Sequence, residues 1–228
     1  MCGIVGYVGK RNCTDVLING LSKLEYRGYD SAGIAVFQDG KIAVAKSKGR
    51  LKDLEDKMER EGRPEGNVGI GHTRWATHGE PSQINAHPHV SGNCERSGSG
   101  TVESEVVGVH NGIIENYTEL KEKLLKHGYT FYSDTDTEVV IKLVDYYYKK
   151  YNLGPIDAIA KTMVRVRGSY ALELMFKDYP GEIWVARKDS PMIIGIADGE
   201  TYVASDVPAI LKYTRNVYYI CLLYTSDA

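Results

Sequence analysis

The sequence has no long hydrophobic run and no excess of charge of either sign. Its apolar stretches, such as Met192 to Ala197, fall far short of the roughly 20 residues that a membrane-spanning helix needs. Lys and Arg number 28 against 30 for Asp and Glu, and no basic segment is present that could neutralise a row of phosphates. The N-terminus also lacks the charged segment and long apolar run of a secretory signal. We therefore expect a cytoplasmic protein whose partners include neither a membrane nor nucleic acid.

Cysteine is scarce too. The four cysteines stand at positions 2, 13, 94 and 221, and no pair is close enough for a Cys-x-x-Cys metal or redox site. A disulfide framework is not expected in a reducing cytosol. Neither a phosphate-binding loop nor a dinucleotide-binding fingerprint is found, and the histidines between positions 72 and 110 form no helical pair. The sequence therefore predicts no cofactor and no metal site.

What the sequence does have is an ordinary globular composition. Its 228 residues are 43% hydrophobic and 25% charged, which is typical of one large soluble domain. Cys2 to Val8 is typical of a buried strand, and Asn12 can cap the helix that follows. The dipeptide Asp39-Gly40 favours a hairpin between two strands, because both residues tolerate positive φ. The chain therefore opens with strands and a helix.

The middle of the chain is irregular and then helical. No periodicity is found from Arg74 to about Glu105, which predicts a long loop of the kind that usually has a function. A strand over Val106 to His110 is followed by predicted helices that begin near Asn116, Thr137 and Pro155. After these, the pattern predicts only strands: 170–176, 182–186, 192–197 and 200–204. This order predicts an α+β fold with antiparallel sheets.

Cys2 is the first candidate for chemistry, because it becomes the N-terminal residue once Met1 is removed. A terminal cysteine carries a thiol and a free amine, and the pKa of each is about 8. The amine can take the proton of the thiol, so the residue is a nucleophile that has its own base. From its position alone, Cys2 can equally be an inert, small hydrophobic residue at the start of a strand.

Two other segments place polar groups after predicted strands. Arg74 offers a planar fork that binds a carboxylate through two hydrogen bonds, and Trp75 offers a large apolar surface; the alternative is a surface arginine beside a packed tryptophan. The amide of Asn111 and the backbone N–H of Gly112 can together stabilise an oxyanion. The alternative for this pair is a plain Asn-Gly turn.

The segment Ser133 to Glu138 leads into a predicted helix and has two interpretations. Thr135 and Glu138 have the spacing of a capping box, and a carboxylate at Asp136 is stabilised by the helix dipole. A functional Asp136 would instead bind an ammonium group. The residues alone leave both interpretations open.

Taken together, these segments resemble one enzyme family. The six that carry the resemblance are Met1 to Tyr7, Leu24 to Gly33, Gly71 to Gly79, Asn85 to His89, His110 to Asn116 and Ser133 to Glu138. They occur in the order found in class II glutamine amidotransferases, and most specifically in the glutaminase domain of the glutamine:fructose-6-phosphate amidotransferases. Other class II members share only the cysteine, Arg-Gly and Asn-Gly elements.

The resemblance implies an N-terminal-nucleophile hydrolase fold, a four-layer αββα sandwich with two antiparallel sheets. It also implies that glutamine is hydrolysed to glutamate and ammonia through a γ-glutamyl thioester. The resemblance implies that Cys2 is the nucleophile with its amine as base, and that Asn111 and Gly112 form the oxyanion hole. It implies that Arg74 binds the glutamine α-carboxylate and Asp136 its α-amine. The loop over glutamine would contain Trp75, Thr77 and His78, and the nucleophile would be supported by Arg27 and Tyr29.

The resemblance covers residues 1–220, with two departures. Ser91 to Glu105 is longer than expected and is interpreted as a surface insertion with Cys94 exposed, while residues 221–228 are an atypical tail. The sugar isomerase domains of the family are not in the chain, so fructose 6-phosphate is expected as a partner only through a missing synthase half, and oligomers only in the full-length enzyme. Two alternatives stay open: a glutaminase for another acceptor such as phosphoribosyl pyrophosphate, and a non-catalytic glutamine-sensing module.

Overall fold

The computed structural model describes residues 2–76, 78–92, 100–102 and 105–220. Its helices are α1 Cys13–Ser22, α2 Leu51–Glu61, α3 Tyr117–Lys126, α4 Asp136–Lys150 and α5 Pro155–Met163. Its strands are β1 Gly3–Val8, β2 Ser31–Gln38, β3 Lys41–Lys48, β4 Val68–Arg74, β5 His89–Val90, β6 Gly100–Val102, β7 Val106–Ile114, β8 Gly168–Phe176, β9 Trp184–Lys188, β10 Ile193–Ala197, β11 Glu200–Ala204 and β12 Val217–Tyr219. No helix within these ranges is long and apolar enough to cross a membrane.

The strands form two antiparallel sheets. The larger sheet has the order β12-β10-β11-β1-β4-β2-β3-β6, and the smaller has the order β5-β7-β8-β9. In the larger sheet β1 lies between β11 and β4, with Ile4 opposite His72. In the smaller sheet β7 pairs with β8 along its whole length. The first residues of β1 therefore lie at the centre of the larger sheet and not at its edge.

Three apolar clusters separate four layers. One cluster lies between α1, α2 and the larger sheet and includes the fully buried Leu17 and Leu54. A second lies between the smaller sheet and the α3, α4 and α5 helices and includes Leu143. A third lies between the two sheets, where Ile70 and Val109 are both buried. The order helix, sheet, sheet, helix is the predicted αββα sandwich, and the α+β prediction is confirmed.

Local sequence signals account for most element boundaries at the start of the chain. The side chain of Asn12 accepts the backbone N–H of Thr14 and caps α1, as predicted. The hairpin between β2 and β3 turns at Asp39 and Gly40, whose φ angles are 50° and 74°. Positive φ at both turn residues matches the right-handed twist of the two strands.

Three predictions about elements were wrong. The region from Arg74 to Glu105 is not a continuous loop, because it contains β5 and β6, which are too short to show a periodicity. The strand predicted to end at His110 continues to Ile114, through Gly112 at φ 130°. An edge strand, β12, pairs with β10 where no strand was predicted. The predictions for Thr77, Cys94 and the tail at 221–228 fall outside the described residues.

Candidate active site

A cavity of about 350 Å³ lies beside Cys2, where several elements end or begin. Its walls come from the start of β1, the end of β4, the middle of β7, the start of α4 and the turn between β9 and β10. Eight of the residues singled out in the sequence line it: Cys2, Arg27, Arg74, Trp75, His78, Asn111, Gly112 and Asp136. The fold therefore gathers segments that are far apart in the sequence around one space.

The Cys2 thiol lies against the backbone that follows β4. Its Sγ accepts the N–H of Trp75 at 3.2 Å and lies 3.5 Å from the Trp75 carbonyl oxygen. The Cys2 carbonyl accepts hydrogen bonds from Asn111 Nδ2 at 3.0 Å and from Arg27 Nε at 3.3 Å. Burial raises the pKa of the thiol, and the Trp75 N–H together with the charge of Arg74 lowers it in part. A base is therefore needed to form the thiolate at neutral pH.

Arg74 ends β4, and its side chain is held from one side by the following loop. The guanidinium donates to the carbonyl of Gly79 at 3.0 Å, to that of His78, and to that of Glu80 at 3.5 Å. It is 4% exposed, and burial lowers its pKa, which nevertheless stays far above neutrality for a guanidinium. Among the described residues Arg74 is in no ion pair with a carboxylate, although the nearby charges of Asp30 and Asp136 favour its charged form, and its side chain lines the cavity.

Asp136 is the first residue of α4, is buried, and also lines the cavity. Its Oδ2 accepts the backbone N–H of Ile114 at 2.8 Å, which ties the helix start to β7. The helix itself is capped by the neighbouring Thr135, whose hydroxyl accepts the N–H of Glu138. Asp136 is therefore not needed as the cap and contributes a carboxylate to the cavity wall.

Asn111 and Gly112 lie within β7, not in a turn after it. Gly112 has φ 130°, and a Cβ at this position would stand 2.1 Å from the carbonyl oxygen of Ser169. Only glycine fits both the backbone angle and the close approach of β8. The pair therefore does not form the plain Asn-Gly turn that was the alternative interpretation.

Trp75 and Tyr29 form an aromatic pair at the rim. Their rings meet edge to face with centroids 5.4 Å apart, and both side chains are about half exposed. Tyr29 contacts Trp75 and does not line the cavity, whereas Arg27 lines it and also forms an ion pair with Asp206 at 2.9 Å. The His78 ring lines the cavity and packs on Tyr117.

Several cavity residues were not found from the sequence. The turn between β9 and β10 contributes Asp189 and Ser190, and a left-handed φ of 61° at Asp189 turns the chain towards the cavity. His110 also lines it, with Nδ1 2.9 Å from the Thr137 hydroxyl. The Asp-Ser-Pro sequence is a turn signal, but nothing local in it indicates which site the turn faces.

Four buried histidines surround the site: His72, His87, His89 and His110. Burial lowers the pKa of each, so their rings are neutral at physiological pH. Among the described residues no group of three or more His, Cys, Asp or Glu side chains is arranged to hold a metal ion. His72, His89 and His110 each have a ring nitrogen within 3.0 Å of a side-chain oxygen, and the His87 ring packs between those of His72 and His89.

Comparison with known proteins agrees with this geometry. A family model described as a glutamine amidotransferase domain matches residues 98–212. The chain is 54% identical over 220 residues to the glutamine–fructose-6-phosphate aminotransferase (isomerizing) of Caldanaerobacter subterraneus subsp. tengcongensis, and 50% identical over 224 residues to that of Pyrococcus horikoshii. Each match covers 96% of this chain, and it covers 34% of the first relative and 35% of the second. The chain thus spans about a third of the length of these relatives.

Solved structures give the same picture of the fold. The B. subtilis glutamine phosphoribosylpyrophosphate amidotransferase, solved with ADP and GMP, matches with a TM-score of 0.75 and 26% identity, over 96% of this chain and 44% of that one. An allosteric regulatory enzyme of purine biosynthesis matches with a TM-score of 0.78 at the same identity and coverage. The predicted N-terminal-nucleophile fold is therefore confirmed, and the chain belongs to the class II glutamine amidotransferase family.

Proposed function

We propose that this chain hydrolyses glutamine to glutamate and ammonia, with Cys2 as the nucleophile. The observation that supports this most directly is the placement of Cys2, Arg74 and Asp136 on the walls of one cavity. A free amino acid carries one carboxylate and one ammonium, and the cavity offers a buried guanidinium and a buried carboxylate to receive them. The remaining end of glutamine, its side-chain amide, then faces the thiol.

Cys2 supplies both nucleophile and base in this proposal. Removal of Met1 frees the α-amine, which takes the proton of the thiol, a transfer that is needed because burial raises the pKa of the thiol. The thiolate attacks the amide carbon, and the new oxyanion accepts hydrogen bonds from Asn111 Nδ2 and the Gly112 N–H. The ammonium of Cys2 returns the proton to the leaving nitrogen, ammonia departs, and water cleaves the thioester to give glutamate and the free thiol.

The remaining predicted residues shape the site. Arg74 receives the α-carboxylate of glutamine and Asp136 its α-amine. Trp75, Thr77 and His78 belong to the loop that covers the substrate. Arg27 holds the Cys2 carbonyl, at 3.3 Å, and Tyr29 supports the indole of Trp75 from the outside.

The wider role follows from the relatives. We propose that the chain is the glutaminase half of an enzyme that makes glucosamine 6-phosphate from fructose 6-phosphate and glutamine, the precursor route to amino sugars. The 54% identity with a glutamine–fructose-6-phosphate aminotransferase favours this acceptor over phosphoribosyl pyrophosphate, whose amidotransferase is 26% identical. The sugar phosphate would bind in the part of the relatives that this chain does not match.

Glutamate release from glutamine by the purified chain tests the proposal. The active protein should begin at Cys2 by mass spectrometry, and Cys2→Ala should abolish glutamate release while glutamine still binds. Added fructose 6-phosphate should give no amino sugar with this chain alone. Full turnover by a preparation that retains Met1 would contradict the assignment of the base.

Variants of the other site residues separate binding from chemistry. Arg74→Ala and Asp136→Ala should raise the KM for glutamine steeply, because each removes a partner of a charged substrate end. Asn111→Ala should lower kcat by about 100- to 1000-fold and leave KM nearly unchanged, because its hydrogen bond strengthens only in the transition state. An Asp136→Ala variant that loses thermal stability but keeps its KM would show that this carboxylate serves the helix start alone.

A further inference from the structure

His72 is a buried residue that the mechanism above does not use. It lies on β4, two positions before Arg74, with 0% of its surface exposed, and it does not line the cavity. Its ring packs against that of His87 with centroids 4.1 Å apart. Its Nε2 lies 2.9 Å from Asn111 Oδ1 on β7, so this contact joins the larger sheet to the smaller one.

The Asn111 amide has only one orientation that satisfies both of its neighbours. On one side it meets the carbonyl oxygen of Cys2 at 3.0 Å, and a carbonyl oxygen can only accept a hydrogen bond. The nitrogen of the amide must therefore face Cys2, and the amide oxygen must face His72. Because that oxygen can only accept, Nε2 of His72 must carry the hydrogen.

The other tautomer of His72 is unfavourable on both sides of the ring. It would set the lone pair of Nε2 against that of Asn111 Oδ1, and it would place an N–H on Nδ1, which is buried and has no hydrogen-bond partner among the described residues. Burial lowers the pKa of His72 to about 3, so the ring is neutral at physiological pH. A single protonation state and tautomer therefore persist.

We propose that His72 is a positioning residue that holds the Asn111 amide in the orientation needed for an oxyanion hole. The proposal rests on the function proposed above. An amide nitrogen has two hydrogens, and the Cys2 carbonyl accepts one of them, which leaves the second for the cavity that Asn111 lines. Without the His72 donor, the amide can rotate and present its oxygen to the developing negative charge.

Kinetics of His72 variants test this role. His72→Phe removes the donor, whereas His72→Gln keeps an amide N–H near the place of Nε2. We expect His72→Phe to lower kcat for glutamine hydrolysis by about tenfold or more, up to the roughly 100- to 1000-fold expected for loss of the Asn111 donor, with KM within about twofold. His72→Gln should recover most of kcat.

A double variant separates positioning from a general effect on folding. If His72 acts through Asn111, then adding His72→Phe to Asn111→Ala should lower kcat no further. A further tenfold loss in the double variant, an unchanged kcat in a folded His72→Phe single variant, or no recovery in His72→Gln would each overturn the proposal.

The tautomer can be measured independently of activity. In the wild-type chain labelled with ¹⁵N-histidine, His72 should show a protonated Nε2 and an unprotonated Nδ1 from pH 6 to pH 9. Protonation on Nδ1 instead would overturn the proposal, even if the Phe variant fails to fold. If the wild-type chain and Cys2→Ala release glutamate equally, the proposed function fails, and the tautomer still decides whether His72 donates to Asn111.

Discussion

Two glutamates of this chain are both completely buried, yet they meet opposite surroundings. Glu138 lies in the first turn of α4, close to the cavity, and Glu173 lies in the middle of β8, between the two sheets. One carboxylate has a partner for each oxygen, and the other has none. Comparing the two separates the effect of burial from the effect of missing partners.

Glu138 is fully satisfied. Its Oε1 accepts the N–H of Tyr132 at 3.1 Å and pairs with Lys142 at 2.8 Å, one helical turn away. Its Oε2 accepts the N–H and the hydroxyl of Ser133 at 2.8 and 2.6 Å. These bonds fasten the segment before α4 to the helix, whose first residue, Asp136, lines the cavity.

Glu173 has no such partners. Neither of its carboxylate oxygens has a hydrogen bond from the described residues. Oε2 lies only 2.7 Å from where a Cβ on Gly6 would stand, so the carboxyl group rests on the bare backbone of β1. The residues paired with it on the two neighbouring strands are Val109 on β7 and Val185 on β9. Burial raises the pKa of Glu173 well above its ordinary value.

The difference shows that a fully buried glutamate can either hold its surroundings in one arrangement or destabilise the folded state. A carboxylate with a buried counter-charge and backbone donors fixes its surroundings in one arrangement. A carboxyl without partners favours its protonated form and destabilises the folded state. Changing one partner at Glu138, or the group itself at Glu173, should therefore shift stability in opposite directions.

The largest effect is expected from removing the partner of Glu138. Lys142→Met leaves a buried carboxylate without its counter-charge and should lower the free energy of unfolding by about 3–5 kcal/mol, measured by urea denaturation. The double variant Glu138→Gln, Lys142→Met should lose clearly less, because no isolated charge remains. A Lys142→Met loss below about 1 kcal/mol would mean that the Ser133 and Tyr132 donors suffice for Glu138.

The helix start at Glu138 could largely be predicted from the sequence. The spacing of Thr135 and Glu138 predicts a helix cap, and Thr135 does accept the Glu138 N–H. The reciprocal bond differs from the predicted capping box, since Glu138 binds the N–H groups of Tyr132 and Ser133 and not that of Thr135. The local motif predicted the helix start, and the path of the preceding chain decided the partners.

The surroundings of Glu173 could not be predicted from the sequence in the same way. The strand that contains it was predicted, but its contact with Gly6 depends on how the two sheets pack. The same holds at the candidate site, where Cys2 and Arg74 were found from their own segments. Their contacts with neighbours, such as Cys2 with Trp75, join parts of the chain that no local pattern connects.

The next largest effect is a pH dependence that comes from Glu173. Its pKa is higher in the folded state than in the unfolded chain, so the folded state keeps a proton that the unfolded chain has lost. The contribution of Glu173 protonation to the free energy of unfolding is fully present below the unfolded pKa of about 4.5. It falls by about 1.4 kcal/mol per pH unit as the pH rises from there towards the folded pKa.

The variant Glu173→Gln isolates this dependence, because glutamine cannot ionise. The difference in unfolding free energy between Glu173→Gln and the wild type should grow in favour of the variant by about 1.4 kcal/mol per unit from pH 5 upwards. Subtracting the two curves removes the opposite contribution of the buried histidines, whose lowered pKa values make stability rise with pH up to about 6.5. Parallel curves for the two proteins would mean that Glu173 gains a partner or water in solution.

The smallest effect is expected when the polar group itself is removed at low pH. At pH 3.5, one unit below the unfolded pKa of about 4.5, Glu173 is close to protonated in both states, so ionisation contributes little, and only the unpaired carboxyl group remains as a cost. Methionine has a length similar to glutamate and an unbranched chain that can lie over Gly6, so Glu173→Met should raise the free energy of unfolding by about 1–3 kcal/mol at this pH.

Glu173→Gln is the matched control, because its amide stays polar and unpaired and its free energy of unfolding should rise much less at this pH. Glutamine hydrolysis should be unchanged in both variants, because Glu173 does not line the cavity. If methionine and glutamine stabilise equally at pH 3.5, the missing hydrogen bonds do not destabilise the fold, and the contrast with Glu138 comes from ionisation alone.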